Sequence, residues 1–359
     1  MPRAAILHAI GDDRLDVTEV DLADTGARQV RLRVRATGVC HSDLSAMQGV
    51  IPHPAPFVPG HEGAGEIVEI GPGVDEVAVG DHVIVAWMPP CGRCRFCLGG
   101  QAQLCLEVTG ASGYHPRFSV GGVPTFGMSG TGTFAEELVV PVQAVVKIDE
   151  DVPWDVASLI GCGVTTGVGA VINSARVVPG ASVVVFGCGG VGINVIQGAR
   201  LAGAAEIVAV DVVESKRNGA LPFGATHAVH PDDLGELRMT LTGGQGFDYG
   251  FEVIGLPVTI RATYDAVRRG GTATIVGVGG SDQMVEFNAF ELFFNEKKLV
   301  GTTYGSADVR TEFHRLIRLW RYGRLDLEGL ITKTAKLDDV NQALEDMQAG
   351  RVIRTVIEM

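Results

Sequence analysis

The run SVVVFGCGGVGINVIQGARLAGAAEIVAVD, residues 182–211, decides the fold of one of the two halves into which this chain's pattern divides. It opens with a short β-branched strand pattern and reaches glycines at 187, 189 and 192, in the order G-x-G-x-x-G. It continues at helical spacing and ends in a second strand pattern closed by Asp211. Each part has a mechanical reason. The first glycine makes the tight turn, the second lets backbone approach a pyrophosphate, and the third lets helix and strand pack closely. Gly190 and its neighbours then open a helix whose N–H groups and dipole favour phosphate. An acidic residue about 20 positions on can hold ribose hydroxyls, and Asp211 meets that spacing. A 2′-phosphate would meet its carboxylate, so the run predicts NAD over NADP, with Lys216 close enough to join the nucleotide contacts.

Outward from this run the rhythm is regular. EIVAVD, HAVH, FDYGFEVIG, TATIVGV and KLVGTTY are short apolar stretches separated mostly by helix-length segments. Strands alternating with helices imply right-handed crossovers and a parallel sheet covered on both faces. Pro222 sits inside a helical stretch, where it predicts a kink or an early stop. Before Val164 the pattern is different. QVRLRVRATGV, GAGEIVEIG, DHVIVAW and FAEELVVP are strand-like runs broken by Gly and Pro, which predicts an irregular, mostly β domain. After Tyr304 come two helical patterns and a closing strand-like RVIRTVIEM.

A length of 359 residues exceeds one ordinary hydrophobic core and predicts two domains. A net charge of −13 offers no basic face for nucleic acid, which points to a small-molecule substrate. No uninterrupted apolar run reaches the ~18 residues of a spanning helix, and the start MPRAAILHAIGDDRLD turns acidic early, so no membrane association and a cytoplasmic location are expected. In a reducing compartment, seven cysteines favour metal or catalysis over disulfides.

Four of them, Cys91, Cys94, Cys97 and Cys105, form CxxCxxCx7C. Four thiolates suit tetrahedral zinc and leave no position for substrate, so this site is closed. A run of close cysteines also suits an iron–sulfur cluster. The long last gap and the lack of another redox motif favour zinc. Cys188 reads as a small apolar filler of the glycine loop. Cys40 and Cys162 lie far apart, with His61 between them in GHEGAGE. Two thiolates and an imidazole make a three-ligand zinc set with an open fourth position.

The motifs GVCHSD, GHEGAGE, CGRCRFC, GCGVTTGVGA, FGCGGVG and GRVIRTVI, in this order, resemble the zinc-dependent alcohol dehydrogenases of the medium-chain dehydrogenase/reductase family over essentially the whole length. The resemblance implies an α/β chain: a Rossmann doubly wound sheet over 164–303, inserted in a mainly β GroES-like catalytic domain of residues 1–163 and 304–359. It implies two zinc ions per subunit, a homodimer or homotetramer, and hydride transfer between NAD and a small alcohol or aldehyde. Cys40, His61 and Cys162 would hold the catalytic zinc, and Cys91, Cys94, Cys97 and Cys105 the structural one. Glu62 would be a carboxylate near the metal, Asp43 the partner that orients His61, and Ser42 the hydroxyl that accepts the alcohol proton. The histidine usual five positions after the zinc cysteine is replaced by Ser45, so the proton would leave by water or His53. His41 and Arg354 would contact the pyrophosphate, Thr166 the nicotinamide region, and Val191 its ring. Ser42, Trp87, Phe134, Ala135, Val278 and Thr303 would line the substrate channel, with Val278 also near the cofactor.

Within the family, GHEGAG, GCGVTTG and SGTGTFAEE resemble glutathione-dependent formaldehyde dehydrogenases and nicotinoprotein alcohol dehydrogenases. The former carry acidic residues where this chain has Ile51 and His53, and a basic one near Thr109. The expected substrate is therefore a primary alcohol, medium-chain or aromatic. The alternatives are a nicotinoprotein that retains its NAD, a different thiol adduct, or a nucleotide-responsive binding protein without catalysis.

Overall fold

The computed structural model describes residues 1–108 and 115–359. The chain forms two units: Met1–Gly163 with Asp308–Met359, and Val164–Ala307. The second unit keeps residues 304–307, which the sequence assigns to the returning segment. The reason is a turn at Tyr304–Ser306 that packs on Thr165–Gly169: a Cβ on Gly305 would lie 2.3 Å from the Thr165 carbonyl oxygen.

In the first unit the leading elements are β1 (Gln29–Gly38), α1 (His41–Met47), β2 (Glu62–Ile70), β3 (His82–Val85), β4 (Glu137–Pro141) and β5 (Val145–Lys147). In the second they are β6 (Ser182–Phe186), α2 (Gly190–Leu201), β7 (Glu206–Val210), β8 (His227–Val229), β9 (Phe247–Glu252), α3 (Pro257–Ala266), β10 (Val267–Ile275) and β11 (Lys298–Gly301). The chain returns to the first unit with β12 (Ile331–Lys336) and β13 (Arg354–Glu358).

The sheet of the first unit runs β5-β3-β2-β1-β13-β12, with β4 also on β1. The alternation of β1 explains its place: Val30, Leu32 and Val34 are buried in a core with Ile67, Val83, Leu138 and Ile357, while Arg31, Arg33 and Arg35 face out and pair with Glu69, Glu137 and Glu66. Strand β13 pairs with β1 through Val356–Gly38 and Ile357–Thr37, so the last residues of the chain lie beside Cys40. That pairing carries Arg354 to the site.

The sheet of the second unit has the order β8-β7-β6-β9-β10-β11, and every pair is parallel. Phe186 aligns with Val210 on one side and Glu252 on the other, so the carboxyl ends of the central strands form one edge. Ligands of open parallel sheets bind at such an edge. Pro222 acts as its sequence predicts: the helix Glu214–Ala220 stops, and a single turn Leu221–Phe223 leads to Gly224 at φ 117°. Among the described residues one helix, Trp154–Ala175, is long and apolar enough to cross a membrane by length and composition, but 83% of its apolar window is buried in the protein, as a core helix is.

Candidate active site, zinc sites and nucleotide loop

Cys40 leaves the end of β1 as the N-cap of α1, and the acid three residues later holds it there. Asp43, wholly buried, accepts from the Cys40 N–H at 2.9 Å, the Gly60 N–H at 3.1 Å and His61 Nδ1 at 2.9 Å. One carboxylate thus fixes a ligand's backbone, the turn before the next ligand and the ring of that ligand. With Nδ1 engaged, His61 has Nε2 left to bind metal. Gly60, at φ +90°, is pressed against Phe134, where a Cβ would lie 2.6 Å from the ring and from the backbone nitrogen. Cys162 comes from the helical segment after Leu159, and the ligand atoms of Cys40, His61, Glu62 and Cys162 all lie within 4.8 Å of one another.

This donor set fits zinc. Tetrahedral zinc–sulfur bonds of ~2.3 Å place ligand atoms about 4 Å apart. The ionisation is also suitable. Hydrogen bonding with Cys162, then the charges of His61 and Arg354, outweigh burial and hold the Cys40 thiol well below its ordinary range. Burial would lower the His61 ring, but Asp43 and Cys40 outweigh it and raise the ring to about 10. Glu62 Oε1 is a buried oxygen without a hydrogen-bond partner, as suits a carboxylate beside a cation.

Ser42 Oγ lies 3.7 Å from Cys40 Sγ. The Trp87 ring meets His61 edge-on with centroids 6.2 Å apart. His41 is exposed at the start of α1.

Three of the residues expected to contact cofactor or substrate are buried in the first unit. Arg354 is buried and its guanidinium pairs with Glu62 Oε2 inside the first unit. A buried charge must be paired, and Glu62 is the nearest anion. Phe134 and Ala135 have no exposed surface and belong to the apolar core with Ala4, Leu7 and Phe57. Phe134 also packs against Gly60, the residue before His61.

The other cysteine cluster is built differently. Sγ atoms of Cys91, Cys94, Cys97 and Cys105 lie within 4.8 Å of one another, and backbone N–H groups point at the sulfurs: Arg93 and Cys94 to Cys91 at 3.4 and 3.3 Å, Cys97 to Cys94 at 3.5 Å, and Cys91 to Cys105 at 3.3 Å. Such donors stabilise thiolates, so this set also fits zinc, with four protein ligands and no vacancy for substrate. Thr109 falls outside the described residues. Cys94→Ser should reduce zinc from two to one per subunit and lower Tm by about 10 °C, with a smaller loss of kcat in the folded fraction. Calorimetry with metal analysis checks this; a variant of unchanged Tm and no turnover would reverse the assignment.

In the second unit the glycine loop is built as its sequence predicts. Gly187 has φ +96°, a Cβ on Gly192 would lie 1.9 Å from the Gly187 carbonyl oxygen, and a Cβ on Gly189 would meet nothing within 4 Å. Gly189 therefore keeps space open and Gly192 closes a contact. Helix α2 starts at Gly190 without a side-chain cap, which leaves its first N–H groups for a ligand. Val191 and Thr166 are half-buried. Asp211 accepts from the N–H groups of Cys188 and Val213, both at 2.9 Å, which locks it to the glycine loop. Arg217 is held by the carbonyls of Asp211 and Val212, and Lys216 is half-buried in the same turn. Burial, with the charge of Asp211 added, pushes the Cys188 thiol up to about 12, consistent with an inert filler. Val278 is 53% exposed and Thr303 is exposed, both in this unit.

Comparison with known proteins agrees with these sites. Residues 26–150 match the alcohol dehydrogenase GroES-like domain family, and residues 190–321 the zinc-binding dehydrogenase family. An S-(hydroxymethyl)glutathione dehydrogenase of Paracoccus denitrificans is 39% identical over 372 residues, covering 99% of both chains. The crystal structure of benzyl alcohol dehydrogenase from Acinetobacter calcoaceticus superposes with a TM-score of 0.92 at 30% identity, covering 100% of this chain and 99% of that one. An alcohol dehydrogenase zinc-binding domain protein from Burkholderia ambifaria gives 0.93 at 31% identity, covering 100% and 98%. Two donor sets of zinc type, a dinucleotide loop and full-length similarity lead to one conclusion: the chain belongs to the zinc-dependent medium-chain alcohol dehydrogenase family.

Proposed function

We propose that the protein interconverts a primary alcohol, aromatic or of medium length, and its aldehyde with NAD. The observation that carries this is the convergence of Cys40, His61 and Cys162 beside the Ser42 hydroxyl. Zinc held by those three residues supplies a Lewis acid that lowers the pKa of an alcohol hydroxyl, and NAD supplies the hydride acceptor. The rest is done by the chain. Ser42 takes the alcohol proton at Oγ. Asp43 keeps the His61 ring and the Cys40 backbone in place, and Arg354 balances Glu62. Trp87 gives one side of the pocket a large apolar face, which suits an aromatic or extended alkyl group. Asp211, anchored on the Cys188 N–H, favours NAD by repelling a 2′-phosphate.

The name of the Paracoccus relative brings up a second reading, a thiol adduct of formaldehyde. Ile51 and His53 stand where glutathione-dependent enzymes of this type carry acids, so the simple alcohol is the preferred substrate. The benzyl alcohol dehydrogenase likeness supports an aromatic one. The exposed Phe290, Phe293 and Phe294 support a homodimer or homotetramer, and seven cysteines without a disulfide among them suit the cytoplasm.

The test is NAD reduction over aliphatic, allylic and benzylic primary alcohols, with S-hydroxymethylglutathione in parallel. Turnover of benzylic or medium-chain alcohols at kcat/KM at least about tenfold above the adduct is expected. Preference for the adduct would replace the first reading by the second. Nucleotide absorbance that survives gel filtration, with no response to added NAD, would establish a nicotinoprotein.

A further inference from the structure

A buried carboxylate in the second unit has no part in the chemistry above. Glu252 is the last residue of the central strand β9 and has no exposed surface. Its Oε1 accepts from the Ile254 N–H at 2.9 Å, the Gly255 N–H at 2.8 Å and the Thr259 hydroxyl at 2.6 Å. It therefore ties both the loop that leaves β9 and the first turn of α3 to the end of the strand.

The place of that loop gives the contact a role. Strand β9 lies between β6, which ends at the glycine loop, and β10, which ends at Ile275 and leads into Val276–Val278. On one side the loop touches Gly187, where a Cβ would lie 2.7 Å from Ile254 Cγ1 and 3.2 Å from the Val253 oxygen. On the other side it is packed against the end of β10. A Cβ on Gly277 would lie 2.2 Å from the Gly255 nitrogen, and one on Gly255 would lie 2.3 Å from the Val278 oxygen. The backbone N–H groups of Val276 and Gly277 also bond to the Glu252 carbonyl at 2.8 and 3.1 Å. Ile254, Leu256 and Val278 are exposed along this edge at 44, 46 and 53%. Glu252 thus stands behind a wedge that sets the spacing between the tight turn of the glycine loop and the Val278 segment.

We propose that Glu252 is a positioning residue for the dinucleotide: it fixes the Val253–Leu256 loop so that the glycine loop and the Val278 segment are held at the separation the nucleotide needs. Glu252 touches no ligand itself. Three short donors converge on one oxygen, and a side chain without an acceptor there would leave the buried loop N–H groups unpaired. The proposal rests on the NAD reading of this unit.

The experiment uses the full two-zinc enzyme and measures NADH binding by fluorescence, with steady-state kinetics. Glu252→Ala should raise Kd for NADH and KM for NAD+ by roughly tenfold or more, with kcat at saturating nucleotide within about twofold of the parent. Glu252→Gln, which retains an acceptor oxygen, should bring Kd back to within about threefold. Thr259→Val removes a single donor, folds more readily, and should give an intermediate weakening. Zinc content, set in the other unit, should remain at two per subunit. A folded Glu252→Ala or Thr259→Val protein that binds NADH as the parent does would overturn the proposal, and so would a Gln variant as impaired as Ala. A parent enzyme that binds no NADH would instead remove the NAD reading on which it rests.

Discussion

Cys40→Ser is expected to lower kcat/KM for the alcohol by roughly 10³-fold or more, while NAD binding changes by less than about twofold. The thiol is one of the three expected zinc ligands, Cys40, His61 and Cys162, in a group whose ligand atoms lie within 4.8 Å of one another, and a serine hydroxyl is far less acidic, so two residues of that set would be left to hold the catalytic metal. What is lost is charge stabilisation that a metal supplies, worth about 4 kcal/mol or more. Ser42, 3.7 Å from the sulfur, keeps its hydroxyl but has no acidified alcohol to take a proton from. The nucleotide loop belongs to the other unit, with its own sheet and core. Its binding should therefore survive. Metal analysis should show one zinc per subunit, held at Cys91, Cys94, Cys97 and Cys105. Retained turnover with one zinc would mean that the chemistry runs without this donor set; joint loss of turnover and NAD binding would mean that the two units are not energetically separate.

The parts of this molecule legible from sequence are those where spacing along the chain is the geometry. The glycine run is such a case: turn, close contact and helix start fall within six residues, with Gly187 at φ +96°, open space at Gly189 and a close backbone contact at Gly192. The CxxCxxC knuckle is another, since its backbone N–H donors come from the same short loop as its sulfurs. The Cys40–His61–Cys162 set is long-range and became readable through its combination of residue types. Its support, Asp43, is three residues from Cys40, and the alignment of an N3 acid with an N-cap is itself a local signal.

Long-range partnerships left no such trace. Arg354 reaches Glu62 only because β13 pairs with β1, 292 residues apart in the ion pair's own span. A basic residue in GRVIRTVI gives no sign of which anion it will meet. Phe134 and Ala135 sit in a strand-like run whose alternation does not show that both are sealed in the core. Glu252 was missed for a different reason. FEVIG reads as an ordinary buried strand end, and an acid there has no motif around it. The available signal was a charge at the end of an apolar strand, which must find donors if buried.

Gly192→Ala should abolish useful nucleotide binding, with Kd for NAD raised about 100-fold or more, although a single methyl group is added. A Cβ at 192 would lie 1.9 Å from the Gly187 carbonyl oxygen and 2.9 Å from its carbon, and both are backbone atoms of a loop at φ +96°. Neither side has a flexible chain end to move, so α2 must retreat from β6 by more than 1 Å. Overpacking of this kind costs about 1–3 kcal/mol in stability. The larger effect is on geometry, because the first N–H groups of α2 no longer point where the phosphates sit. Gly189→Ala is the informative contrast. Its φ is −81° and a Cβ there meets nothing within 4 Å, so the fold should accept it with Tm shifted by no more than about 2 °C. If Gly189 exists to let the pyrophosphate approach the backbone, that variant still weakens NAD by roughly tenfold. Titration with NADH and a thermal melt on both variants separate the two roles. Gly192→Ala binding NAD normally would show that the helix does not carry the phosphate contacts, and Gly189→Ala binding NAD normally would remove the close-approach role from that glycine.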